Sequence, residues 1–246
     1  MEENETIRYF NFPIQLLEGF MEDSFIPLLN ILSYCLYVHS QSYDDDEYDE
    51  DEDGEYDDLG LWKIRRAADY YLVTVGDPES IYKRGSALSK KYNRSTPHCG
   101  LNRSIYWDYR DNHKTDFQKI CLLAFLSIKS IIGNKKYCKI TNDYWLSRMA
   151  GLTKACKVDQ LPQSIKYYAT EYKLRRIKNE LRLNWHLASY SRQIRGFYVS
   201  FSLPLEDLVF EAEKNREKVK LAQLRKQEDA ARIAALERLK EEGTKK

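Results

Sequence analysis

The stretch TDFQKICLLAFLSIKSII, residues 115–132, decides how the rest of the chain is read. Phe117, Ile120, Cys121, Ala124, Phe125, Ile128 and Ile131 recur at the three- and four-residue spacing of a helix with a broad apolar face. Thr115 supplies an N-cap hydroxyl, and Gly133-Asn134 supplies a stop, so the spacing predicts a core helix over 115–132. A short Tyr137-Cys138-Lys139-Ile140 stretch follows. Thr141-Asn142 then caps a helix containing Tyr144, Trp145, Leu146, Met149 and Ala150, closed by Gly151.

A connecting region runs to Pro162. Beyond it lies a second helical stretch that can start as late as Thr170, with Tyr167, Leu174, Ile177, Leu181 and Trp185 as candidate core positions. Lys173, Arg175, Arg176, Lys178 and Arg182 populate its other faces. Ser189 to Gly196 is polar and carries Arg192 and Arg195. It runs into Phe197, Val199, Phe201 and Leu203 alternating with Tyr198, Ser200 and Ser202, which is strand periodicity. The link at 151–161 is long for a simple turn, and no second hairpin strand is read before Arg192.

Helix, strand, helix, turn, basic helix, polar basic hairpin, strand: over residues 115–203 this order resembles winged helix-turn-helix DNA-binding domains. The resemblance rests on element order and charge. It implies a basic helix at about 170–185 in the major groove and a wing tip at about 189–196 on the backbone or minor groove. Phosphate contacts would fall to Lys173, Lys178, Arg182, Arg192 and Arg195, with Arg175 or Arg176 reaching a base edge as a bidentate donor. The bland alternative is a solvated basic face whose long stems cover apolar surface. His186, beside Trp185, reads as packing or capping.

Upstream, residues 7–17 begin with alternating aromatics and suit a short strand or extended arm before Pro13. Phe25, Leu28, Leu29, Leu32, Cys35 and Leu36 mark a buried helix at 24–39. Helices are expected at 61–73 and 79–92, separated by Gly76-Asp77-Pro78. Residues 93–112, with Ile105, Tyr106, Trp107 and Tyr109, read as a loop whose aromatics pack onto the domain.

Charge is strongly segregated beneath a net of +1. Residues 1–60 hold Arg8 against 18 acidic residues, a net of −17, whereas residues 111–200 hold 17 basic and 6 acidic, a net of +11. The acidic run peaks at 44–58, where mutual repulsion and scant apolar surface predict a disordered loop. It reads either as a solubilising linker or as a competitor for a basic surface of the same chain. It lacks the spaced ligands and glycine turn of an EF-hand loop.

Five widely spaced cysteines without a CxxC argue against a disulfide scaffold and for a reducing, cytoplasmic setting. His98-Cys99 is the nearest approach to a ligand pair, and no metal is expected. The acidic start lacks the pattern of a secretory signal. The apolar stretches around 25–38 and 120–132 are too short and too interrupted for a membrane span. Phosphate-cradling glycines, GxSxG and HExxH are all missing, so no enzyme and no cofactor is expected.

From Pro204 a charged helix is expected to reach Lys240 or beyond. Its seam of Leu208, Ala212, Val219, Ala222, Ile233 and Leu236 is interrupted by Asn215, Lys226 and Asp229, which is poor for a strong coiled coil. It can dock on a protein partner or hold two copies together.

The expected fold class is mainly α with a small β component: a winged-helix-like domain on a helical core, plus a long C-terminal helix. The segments are 1–42 and 59–114 (helical core), 43–58 (acidic loop), 115–203 (winged-helix-like) and 204–246 (extended helix). The expected function is duplex DNA binding in regulation or replication. The competing expectation is an adaptor or scaffold that docks through the acidic run and the C-terminal helix.

Overall fold

A computed structural model describes residues 8–44, 59–92, 96–192 and 196–243, with side chains to 234. Most of the acidic run (45–58) and Arg195 lie outside the described residues, as does the Leu236 side chain. The described residues are mainly α-helical with two small antiparallel sheets.

The alternating N-terminal aromatics form strand β1, Tyr9–Pro13, which buries Phe10 and Phe12 and exposes Tyr9. A 3-10 turn over Ile14–Leu17 follows. Helix α1, Phe25–Ser40, buries Leu28, Ile31, Leu32, Cys35 and Leu36. Helix α2 spans Leu59–Tyr71, and α3 spans Pro78–Lys91. Pro78 opens α3 because its fixed φ suits a first helical turn and its missing N–H costs nothing there. The Asp77 carboxylate accepts from the Ser80 N–H at 3.1 Å.

Within the region expected to be a loop at 93–112, residues 98–111 instead form a strand and a helix, and residues 93–95 lie outside the described residues. Strand β2, His98–Asn102, pairs with β1 so that Phe12 faces Cys99 and Phe10 faces Leu101. Asn102 then caps helix α4, Arg103–Asp111, by accepting from the Ser104 N–H at 2.8 Å. Tyr106 and Tyr109 turn inward, and their hydroxyls donate to the carbonyls of Leu28 and Gln118. The strand has no β-branched residue and the helix is largely polar, so neither carries a strong local signal.

Helix α5, Asp116–Ile132, has the expected cap made reciprocal. Thr115 Oγ1 accepts from the Gln118 N–H, and Gln118 Oε1 accepts from the Thr115 N–H. Strand β3, Cys138–Ile140, and helix α6, Asn142–Met149, follow. Trp145 of α6 is fully buried, and its indole N–H donates to the Ala124 carbonyl of α5 at 3.2 Å. The long link holds a 3-10 turn over Val158–Gln160 and a short helix α7, Gln163–Lys166. Helix α8 is Glu171–Asn184. Tyr167, expected in the core, precedes that helix and is 59% exposed, while Tyr168 is buried in its place. The helical periodicity does not reach back past the N-cap at Thr170.

Two strands complete a three-stranded sheet in the order β3-β5-β4. These are β4, Ala188–Tyr190, the hairpin strand that sequence patterning left unplaced, and β5, Phe197–Ser200. Phe201 and Leu203 fall beyond the strand's end, although Phe201 still packs against the core. Helix α9, Leu205–Gly243, buries Leu208 and Ala212 and is exposed from Arg216 to Ala234. Val219, Ala222 and Ile233 of the expected seam are therefore exposed. Among the described residues no helix is long and apolar enough to cross a membrane. One hydrophobic cluster runs from β1 through β5, and α5 packs against β2, α6 and α8.

Candidate nucleic-acid interface

Leu174, Ile177 and Leu181 anchor α8 by one buried face. The opposite face follows from that register: Tyr172, Arg175, Arg176, Asn179, Arg182 and Leu183 are all exposed. Tyr172 and Leu183, at 74% and 70% exposure, project furthest from the core side. Arg175 pairs with Glu171 one turn earlier at 2.9 Å, with both groups largely exposed. Such a pair contributes at most about 0.5 kcal/mol and is readily exchanged for a phosphate. The Arg176 guanidinium lies 4.3 Å from the centroid of the Phe117 ring of α5, so this exposed side chain rests partly on its neighbour helix. Arg182 is exposed in the last turn, where the helix dipole favours a cation.

The two lysines behave differently from the arginines. Lys178 is half-buried, with its ammonium 3.6 Å from the Phe197 ring centroid and 3.1 Å from Asn142 Oδ1, to which it donates. Burial pushes its pKa down to about 8, so it ties α8 to α6 and β5 at some cost in desolvation. Lys173 folds back on Tyr167, donating to its carbonyl at 2.9 Å and lying over its ring. The two lysines are thus held against the body, whereas Arg175, Arg176 and Arg182 are exposed, Arg176 with its guanidinium over Phe117.

The hairpin between β4 and β5 places Arg192 in the open, 3.6 Å from Glu213 of α9. Gly196 closes the hairpin with φ +98, and a Cβ there would lie 2.6 Å from the Ile140 carbonyl oxygen. His186 is exposed rather than packed. It takes a left-handed φ of 54 just past α8, and the Leu187 N–H returns to the Leu181 carbonyl. Tyr172 and Asn179 were missed because neither is charged. Only the register of Leu174, Ile177 and Leu181 puts them beside Arg175 and Arg176.

Other chemistry is weakly supported. The His98 ring accepts no metal role here: its Nδ1 faces the Thr96 carbonyl at 2.6 Å, so that nitrogen carries the proton and Nε2 accepts from the Tyr34 hydroxyl at 3.2 Å. Burial pushes the Cys121 thiol up to about 12 and Cys138 up to about 11, and raises Cys35 and Cys99 further, so none of these is a thiolate near neutral pH. No group of metal-ligating side chains is found among the described residues. The chain matches no protein-family model, no curated protein and no solved structure.

Proposed function

We propose that the chain binds duplex DNA through residues 115–203, with α8 entering the major groove and the β4–β5 hairpin lying on the phosphate backbone. The observation that carries this reading is the exposed face of α8, where Arg175, Arg176, Asn179 and Arg182 project together opposite the buried Leu174, Ile177 and Leu181. Support comes also from the order α5, β3, α6, α8, β4, β5 with the strands arranged β3-β5-β4, which resembles a winged helix-turn-helix.

In this reading Arg175 or Arg176 donates in a fork to guanine, and Asn179 offers the amide pair that suits adenine. Arg182 and Arg192 take phosphates, as does Lys173 once it leaves the Tyr167 carbonyl, and Arg195 is assigned the same role from the sequence. Lys178 holds the helix in place and contributes charge at closer range to the protein than to the DNA. The role served is regulatory or replication-associated. Salt titration of duplex binding tests the proposal: log Kobs should fall linearly with log salt, by roughly 0.9 for each phosphate engaged. Neutralising Arg175, Arg176 and Arg182 together should abolish specific binding and flatten that slope. A folded protein with no duplex affinity at low salt would sink the reading.

The adaptor reading draws on a different observation, the exposure of α9 from Arg216 to Ala234. Most helical stability in proteins comes from tertiary packing, and this stretch has no packing partner among the described residues. A protein partner that binds in the absence of nucleic acid would favour it.

A further inference from the structure

The sheet of residues 138–200 has a second face, turned away from the core and partly covered by α9. The strand register places Lys139 on β3, Tyr198 on β5 and Tyr190 on β4 directly opposite one another, so a cation and two aromatic rings form one row across that face. Helix α9 runs along the row and offers Glu213, Arg216, Val219, Lys220 and Gln223 to the same groove, whose volume is about 480 Å³. With Arg192 from the hairpin, four cations and one carboxylate line the groove.

We propose that this groove binds single-stranded nucleic acid, with Lys139, Arg192, Arg216 and Lys220 on the phosphates and Tyr198 and Tyr190 beneath the bases. Three features select this occupant. The excess of positive charge is complementary to a phosphodiester chain. Adjacent aromatics on a sheet face are stacking platforms that accept any base, because every base has a π-face. The volume falls within the roughly 300–1,000 Å³ of sites that enclose one small molecule. It therefore suits one or two unpaired nucleotides and is too small for a duplex.

Glu213 occupies the position that a phosphate would take. Its carboxylate accepts from the Tyr190 hydroxyl at 2.7 Å and lies 3.3 Å from Arg216 and 3.6 Å from Arg192. In the free protein it keeps these donors gathered, and an incoming phosphate displaces it from the two guanidinium groups. The half-buried Tyr198 ring has the Lys139 ammonium 5.8 Å and the Tyr137 ring 6.4 Å from its centroid.

The test is fluorescence anisotropy of the full chain with a labelled oligothymidylate and, separately, a labelled random duplex at matched salt. Arg216→Gln with Lys220→Gln should weaken single-strand binding at least tenfold while changing duplex binding less than twofold. Arg175→Gln with Arg176→Gln should do the reverse. Glu213→Gln, which keeps an acceptor for Tyr190 and removes the competing charge, should strengthen single-strand binding about threefold. Equal losses on both probes from the α9 pair would overturn the proposal, as would no loss of single-strand affinity or a weakening by Glu213→Gln. A wild-type chain that binds neither probe would overturn both this site and the duplex reading. A chain that binds only the single strand, through α9, would overturn the duplex reading alone.

Discussion

Gly85 of α3 lies directly against the carbonyl oxygen of Ser33 in α1: a Cβ at Gly85 would stand 2.3 Å from that oxygen and 2.4 Å from the Tyr37 Cβ. Two of the contacted atoms are backbone or backbone-proximal, so neither can swing aside. Gly85→Ala should destabilise by about 3 kcal/mol or more by forcing the helices apart. For a chain of this length that is a fall in Tm of roughly 6–12 °C. A melt within 2 °C of wild type would show that α1 and α3 are less tightly joined than the structure has them.

Lys178 sets a pH window. Its pKa is lowered to about 8 in the fold, from an ordinary value near 10.5 in the unfolded chain. Between those values the unfolded state holds the proton and the folded state has released it, so the unfolded state binds more protons and stability rises with pH. Below pH 8 both states are charged and this contribution is fully unfavourable. The Tm of wild type relative to Lys178→Met should therefore rise from pH 7.5 to 9.5, before tyrosine ionisation intervenes. A constant difference across that range would remove the buried-ammonium account.

Gly196 should tolerate no side chain. Its φ of +98 disfavours any L-residue, and the Ile140 carbonyl fills the space a Cβ would need. Gly196→Ala is expected to lower Tm by several degrees and to weaken duplex binding several-fold through a displaced hairpin. Unchanged binding at unchanged Tm would place the hairpin off the DNA.

Only the base of α9 should matter to folding. Leu208 is fully buried, and Leu208→Ala should cost about 2–4 kcal/mol. Ending the chain after Gln227 removes only residues beyond the groove and should leave Tm within 2 °C. A large loss on that truncation would instead reveal a partner for the exposed helix, most directly a second copy, by a concentration-dependent Tm.

Deleting residues 45–58 removes 11 carboxylates and takes the formal net charge from +1 to +12. Duplex affinity should rise at low salt and converge with wild type as salt screens the difference. Equal affinity at low salt would leave the acidic run as a solubilising segment.

The sequence by itself determined the elements whose apolar spacing and caps agree. Helix α5 is legible from Thr115 to Gly133 because the cap, seven apolar positions and the stop all give one answer. Helix α6 shows the same agreement of cap, apolar spacing and stop. Helix α1 was readable from apolar spacing alone, α3 from Pro78 and α9 from its helix-forming composition. The basic character of α8 is plain in its composition. Tertiary structure decided the rest. Strands β2 and β4 are five and three residues long and take their conformation from the partners β1 and β5 rather than from their own propensity. Packing also separated the cations: Lys178 turned onto Phe197 while Arg175, Arg176 and Arg182 faced outward, a division that depends on which side of α8 meets the core. The row of Lys139, Tyr198 and Tyr190 joins residues up to 59 positions apart and exists only once three strands are in register. Charge and helical period are local properties of a chain, whereas strand partners and the direction in which a side chain faces are fixed by contacts distant in sequence.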